Sequence, residues 1–259
     1  MKILVCIKQV PNIEAQLNID NETGWISAYS PVEYRMNRFD EYALEEALKI
    51  KESHLDVTID VISSGPERVI DVLKRAIGMG ADNGIHINHL LEGFIPPEVV
   101  AELISQYALN QKYDLIFTGI MAEDDMQCLV GPMIAATMNL NCAVSVIQMK
   151  LDAKKKIINV ICELEGGIHQ SIQLSLPVLL TIQTGINKPR YPSLSNMLRA
   201  KKQIIQVILA KDLSKQYLKP MYQVVSLPQK SSTIQFIDGS SEEKAEKLLN
   251  ILYAKSLLK

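Results

Sequence analysis

The stretch YDLIFTGIMAEDDMQCLVGPMIAATM, residues 113–138, decides how the rest of the chain is read. Strand formers at 113–118 run into Gly119, where the missing Cβ lets another group approach the backbone. Beyond the loop, Val130, Ile134 and Met138 recur four residues apart, on one helix face, and Asp124 and Asp125 stand upstream as candidate N-caps. A strand feeding a helix in this way makes an anion site. Outward-pointing N–H groups and a macrodipole of roughly half a positive charge at the helix start favour phosphate. The same pattern also describes an ordinary turn between a strand and a helix of an α/β sheet.

With 259 residues, 47% of them hydrophobic, the chain can bury a full core as one large domain or as a domain plus an arm. No apolar run reaches the roughly eighteen residues of a membrane helix. The N-terminal MKILVCIKQV is neither a signal nor a transit sequence, so a cytoplasmic location is expected. A net charge of −2 excludes general affinity for nucleic acid. Cys6, Cys128, Cys142 and Cys162 show no CxxC or metal spacing and read as reduced, apolar residues; neither a metal nor a disulfide frame is expected. Cys128, near a helix start, is either a stabilised thiolate or an inert thiol.

Residues 2–8 are apolar on both faces, the mark of a central parallel strand. Residues 15–28 read as a hairpin with its turn at NETG or, equally, as a surface loop. Asn37 stands as an N-cap before RFDEYALEEALKIKES, with Asp40 third in the helix and Tyr42, Ala43, Ala47 and Ile50 as its buried stripe. DVTIDVIS at 56–63 is the next strand, and Ser64, Gly65 and Pro66 turn it into a helix. A strand at 84–87 and a helix opening at Pro96 and Pro97 lead to the deciding segment. This alternation predicts a doubly wound, mostly parallel α/β sheet of Rossmann-like type.

Ligands of such sheets bind outside the carboxyl ends of the strands. Three places meet there: the end of the first strand at 6–8, the Ser64 turn and the 119–130 loop. Together they predict one nucleotide-sized crevice. Neither GxGxxG after the first strand nor GxxxxGK[ST] is present, which favours a smaller nucleotide over a dinucleotide or triphosphate. His54, His86, His89 and His169 share no spacing, and catalysis by Asp124 and Asp125 would require a base or metal set.

After residue 143 the pattern becomes strand-like, at 157–163 and 171–181 around Glu165, Gly166 and Gly167, which predicts an added antiparallel layer. In NKPRYPSLSNMLRAKK, Pro189 and Pro192 hold an extended arm before a helix from about residue 195. Lys188, Arg190, Arg199, Lys201 and Lys202 carry no acid among them and suit either solvent or an acidic partner. Residues 223–238 read as a linker. Ser240 with Glu243 forms a candidate capping box for a last helix bearing Leu248, Leu249, Leu252 and Tyr253.

VCIKQVP, MNRFDEYALEEAL, SSGP, GADNGIHI, GIMAEDD and PRYPSLSNMLRAKK, collinear over residues 1–202, resemble the β (small) subunit of electron-transferring flavoproteins. The resemblance implies a non-enzymatic carrier: a heterodimer with a larger α subunit that holds most of an FAD. This flavin passes electrons from acyl-CoA-type dehydrogenases of fatty acid oxidation to a membrane quinone oxidoreductase, without membrane insertion of this chain. It also implies a structural AMP bound by Cys6, Asn37, Arg38, Phe39, Asp40, Ser64, Gly119, Ile120, Met121, Ala122, Glu123, Asp124, Asp125, Met126, Gln127, Cys128, Leu129 and Val130. Tyr191, Pro192, Ser193, Leu194, Ser195 and Asn196 become the dehydrogenase-recognition arm, with Leu194 as its apolar anchor. Cys162 and Glu163 fall in the flavin shell. The implied division is a nucleotide-binding domain at 1–202, including the arm at 188–202, and a C-terminal arm and helix at 203–259 that pack on the α subunit.

The chain departs from the family at four places. Ile120 and Met121 replace a common Lys or Arg followed by Gln, Met126 replaces an aspartate, and Cys162 replaces an arginine near the flavin. PPEVVAE at 96–102 replaces the Thr-rich DTxATS of bifurcating members, which carry a second FAD in place of AMP. A different class, a free-standing ATP-binding stress or signalling module, would carry a loop such as GxxGxxxxxxxxGS instead of this acidic one.

Overall fold

The computed structural model describes residues 1–12, 33–89, 95–214, 234 and 236–258, with the backbone alone at 17–19 and 26–28. The NETG turn and most of the 223–238 segment lie outside the described residues. The chain divides into two units, Met1–Val225 and Ser226–Lys259.

The first unit opens with β1 (Lys2–Cys6) and a small β2 (Gln9–Pro11). β3 (Leu17–Ile19) and β4 (Ile26–Ala28) pair antiparallel, which selects the hairpin reading over the loop. β5 (Tyr34–Met36) returns to pair with β2 and leads directly into helix α1 (Arg38–Ser53). Then follow β6 (Thr58–Gly65), α2 (Ile70–Met79), β7 (Asn83–Asn88), α3 (Pro97–Ala108), β8 (Leu115–Gly119) and α4 (Val130–Thr137). An antiparallel excursion, β9 (Asn141–Asp152), β10 (Ile157–Glu163) and β11 (His169–Ser175), precedes β12 (Val178–Ile182). Helix α5 (Leu194–Lys202), β13 (Gln206–Leu209) and the short α6 (Ala210–Leu213) close the unit.

Nine of these strands form one sheet in the order β11-β10-β9-β12-β8-β1-β6-β7-β13. Side chains alternate across it as strand geometry requires. Ile3, Val5, Ile59, Val61, Phe117 and Leu180 meet α1 and α2, whereas Leu4, Cys6, Ile62, Ile116 and Leu179 meet α3 and α4. Both faces are covered, so β1 is apolar throughout. From β1 the chain moves outward through β6 and β7, then crosses to the other side of β1 as β8. The β1/β8 boundary is therefore the switch point, and ligands of such sheets bind there, outside the carboxyl ends of the strands.

The predicted antiparallel strands are present and continue the main sheet through the parallel β9/β12 pair. Two details differ from the sequence reading. β9 was not anticipated, and the run at 171–181 is two strands broken at Leu176 and Pro177, since proline has no N–H to give a ladder. A bulge explains the first miss. Ser145 has φ of 55°, so the buried positions step from Ala143 to Val146 and the two-residue period is lost.

The second unit carries α7 (Ser241–Ala254), and both halves of its capping box form. Ser240 Oγ accepts from the Glu243 N–H at 3.2 Å, and the Ser240 N–H donates to the Glu243 carboxylate at 2.9 Å.

Candidate functional site

Helix α1 starts at the switch point, and its first residues hold the strand ends together. Asp40, third in the helix and buried, accepts the Lys8 N–H beyond β1 at 2.7 Å and the Gly119 N–H at the end of β8 at 3.0 Å. Burial pushes its carboxyl up to about 7, against the lowering effect of those N–H groups. Only glycine fits at 119: a Cβ there would lie 2.5 Å from Asp40 Oδ1 and 2.6 Å from Phe39 Cβ.

Asn37 occupies the N-cap position as the sequence indicated, but its side chain makes no cap bond. It donates instead to the Met121 carbonyl at 2.8 Å and accepts from the Glu123 N–H at 3.1 Å. One amide thereby fixes the start of the 119–130 loop.

The acidic turn that follows is charge-matched. Lys8 Nζ sits 2.7 Å from Asp124 and 2.9 Å from Asp125. Burial lowers the Lys8 pKa, but the two carboxylates outweigh it and leave the ammonium above its usual range. Arg35 reaches Glu123 at 3.2 Å, and Arg38 Nε lies 3.6 Å from the same carboxylate. These pairings correct the expectation that Asp124 and Asp125 cap α4. Leu129 holds the N-cap position, because a partly buried ammonium draws the carboxylates more strongly than neutral helix N–H groups.

Arg35 and Gly131 were missed by the sequence reading, and Lys8 entered it only as part of the first strand's end at 6–8. The acidic run itself calls for nearby cations, and a glycine in the first turn of a helix signals close packing. A Cβ on Gly131 would lie 2.7 Å from Thr118 Oγ1 and Thr181 Cγ2, so α4 rests directly on the ends of β8 and β12. Met126 and Cys128 bend the loop with φ of 53° and 57°. Ile120 donates its N–H to the Ile182 carbonyl at 3.0 Å, anchoring the loop to β12.

Cys6 ends β1 and Ser64 lies near the end of β6, on the same edge of the sheet as this loop. The Ser63 and Ser64 hydroxyls are buried without a hydrogen-bond partner among the described residues, as is His86 Nδ1, while His86 Nε2 bonds the Gly65 carbonyl at 2.8 Å. Burial raises the Cys6 thiol far above its ordinary range. Burial and the Asp125 charge raise that of the exposed Cys128, so neither thiolate is favoured. The arrangement combines braced strand ends, buried hydroxyls without a partner among the described residues and a fixed loop entering a helix.

The arm is a second assembly. Ser193 caps α5 by accepting the Asn196 N–H, and Tyr191 and Leu194 stand 87% and 77% exposed. Pro192 packs over α2 beside Met197, where Gly78 leaves space: a Cβ there would be 2.5 Å from Met197 Sδ. Arg190 does not join the solvent-facing basic run. Its guanidinium grips the buried Glu45 through Nε at 2.9 Å and Nη2 at 2.8 Å, and also pairs with Glu52. Asn187 donates to the Tyr42 carbonyl at 2.9 Å and to Glu46 at 3.0 Å. The root of the arm is therefore tied to α1, the helix that braces the loop.

Cys162 is buried on β10, and the exposed Glu163 accepts from Gln183 Nε2 at 3.1 Å. β9 and β12 separate that strand from β8. Among the described residues no group of three or more His, Cys, Asp or Glu is placed to hold a metal, and no helix is long and apolar enough to cross a membrane.

A family model described as the electron transfer flavoprotein domain matches residues 25–213. The electron transfer flavoprotein subunit beta of Methylophilus methylotrophus is 32% identical over 97% of this chain and 98% of its own length. The corresponding subunit of Bacillus subtilis is 30% identical over 97% of both chains, and that of Bos taurus 34% identical over 82% of this chain and 83% of its own. With a full-length match of this kind on a fold with its switch point intact, the chain belongs to the electron transfer flavoprotein family, among its β subunits.

Proposed function

We propose that this chain pairs with an α subunit, binds one AMP as a structural ligand and helps to enclose the FAD held mainly by that partner. The observation that carries the reading is the brace at the switch point. Asp40 ties both strand ends, Asn37 fixes the loop, and near the end of β6 the Ser63 and Ser64 hydroxyls are buried without a hydrogen-bond partner among the described residues. Buried hydroxyls without partners are costly unless a ligand or water completes them, and the hydroxyls and ring nitrogens of an adenosine have that capacity. For the phosphate, the start of α4 offers backbone N–H groups, and Gln127 is the nearest amide in sequence. Cys6, Asn37, Asp40, Ser64 and the loop from Gly119 to Val130 would form this shell.

The bound flavin supplies one-electron chemistry, and this chain supplies docking. Leu194 and Tyr191 offer apolar area to a dehydrogenase of acyl-CoA type, while Arg199, Lys201 and Lys202 steer the encounter. A quinone oxidoreductase accepts the electrons. Residues 203–259 pack on the α subunit, and Cys162 leaves the cation near the flavin to come from that partner.

Co-expression with the large subunit tests the reading. A stable heterodimer with one FAD, reduced by an acyl-CoA dehydrogenase and slowed at least about tenfold by Leu194→Ala, supports it. A chain that stays alone and binds ATP would overturn it.

A further inference from the structure

Leu194 projects from the arm, yet the residues on both sides of it are seated on α2. Before it, Pro192 lies over Gly78; after it, Met197 reaches the same glycine. The far end of α5 is held by Lys74, whose Nζ donates to the Lys201 carbonyl at 2.6 Å. Tyr191, three residues before Leu194, has no such seat in a groove and is almost fully exposed. Its ring instead meets the Arg75 guanidinium, whose central carbon lies 6.0 Å from the ring centroid. Arg75 stands three residues before Gly78 and so shares its face of α2. The guanidinium is itself fixed: Nε and Nη2 both donate to Glu41 Oε1, at 3.3 and 3.0 Å, in the first turn of α1.

We propose, resting on the dehydrogenase-docking reading above, that Arg75 is a positioning residue for that encounter: held by Glu41, it fixes the Tyr191 ring before the partner arrives. A solvent-exposed tyrosine on an extended arm samples several rotamers, and ordering it on binding costs affinity. A cation over one face of the ring attracts its quadrupole and removes part of that cost in advance. The other face stays open to the partner. Because the stack acts on docking and not on the electron-transfer step, KM carries the effect and kcat does not.

The experiment follows reduction of the heterodimer's flavin by an acyl-CoA dehydrogenase, with the heterodimer as the varied substrate. Arg75→Met, which keeps the length and removes the charge, should raise KM about two- to fivefold with kcat unchanged. Arg75→Lys retains a cation for both Glu41 and the ring and should recover most of the loss. Tyr191→Leu should raise KM at least as far, and adding Arg75→Met to it should raise KM no further, since the two residues act as a pair. Arg75→Gln takes the place of Arg75→Met if the latter does not fold. An unchanged KM in the Arg75 variants, where Leu194→Ala does raise KM, overturns the role of Arg75. Effects of Arg75→Met and Tyr191→Leu that multiply in the double variant overturn it too. A KM unmoved by Leu194→Ala overturns the docking reading itself.

Discussion

Gly119 donates its backbone N–H to the buried Asp40 carboxylate at 3.0 Å, joining the end of β8 to the start of α1 across the switch point. Because a Cβ at 119 would also lie 2.8 Å from the Phe39 carbonyl carbon, relief requires backbone movement. Gly119→Ala should lose about 1–3 kcal/mol in denaturant unfolding and bind AMP more weakly. A change below about 0.5 kcal/mol, the level of an ordinary surface substitution, would mean that the brace is loose.

The same carboxyl makes stability depend on pH. Asp40 has an ordinary value of 3.8 and stands at about 7 in the fold, raised by burial. Between those values the native state binds the proton more tightly than the unfolded chain. Raising the pH through that window therefore subtracts stability, and the contribution is flat above about 7. Urea midpoints measured from pH 4 to 8 should fall less steeply in Asp40→Asn than in the wild type; parallel curves would remove Asp40 as the source.

Much of this arrangement was legible in residues. The doubly wound order followed from strand and helix alternation, and Gly119 and Asn37 were placed correctly because a strand end and a helix start leave local signals. The roles of side chains were not. Asn37 and Asp40 look like a cap and a capping acid, yet both serve partners more than 75 positions away. Such partners are set by topology rather than by spacing. Arg190 reads as one of a solvated basic run for the same reason: Glu45 and Glu52 lie on another helix. The bulge at Ser145 hid β9 by breaking its alternation.

Arg190 anchors the root of the arm on an acid that is itself buried. Arg190→Met keeps apolar bulk but leaves Glu45 without its bidentate partner, so the variant should lose about 1–3 kcal/mol. Amide exchange at 187–196 should accelerate while exchange in β1 and β8 does not. Unchanged exchange in the arm would show that its packing over Gly78 suffices.

At the opposite end of the strands, the Tyr113 hydroxyl donates to the buried Asp60 at 2.7 Å, and Lys2 and Asn83 share that carboxylate at 3.1 and 2.8 Å. Tyr113→Phe should cost about 1–3 kcal/mol, because the loss of one donor leaves a buried charge less satisfied. AMP content should not change. A parallel loss of nucleotide would show that the two ends of the sheet are coupled.

The most direct test of the account is to denature the purified protein, alone and together with its large subunit, and to identify the released nucleotides by chromatography. AMP in equimolar amount from both samples, with a single FAD only from the heterodimer, is the expected result. Two FAD per heterodimer and no AMP would contradict the structural-AMP assignment.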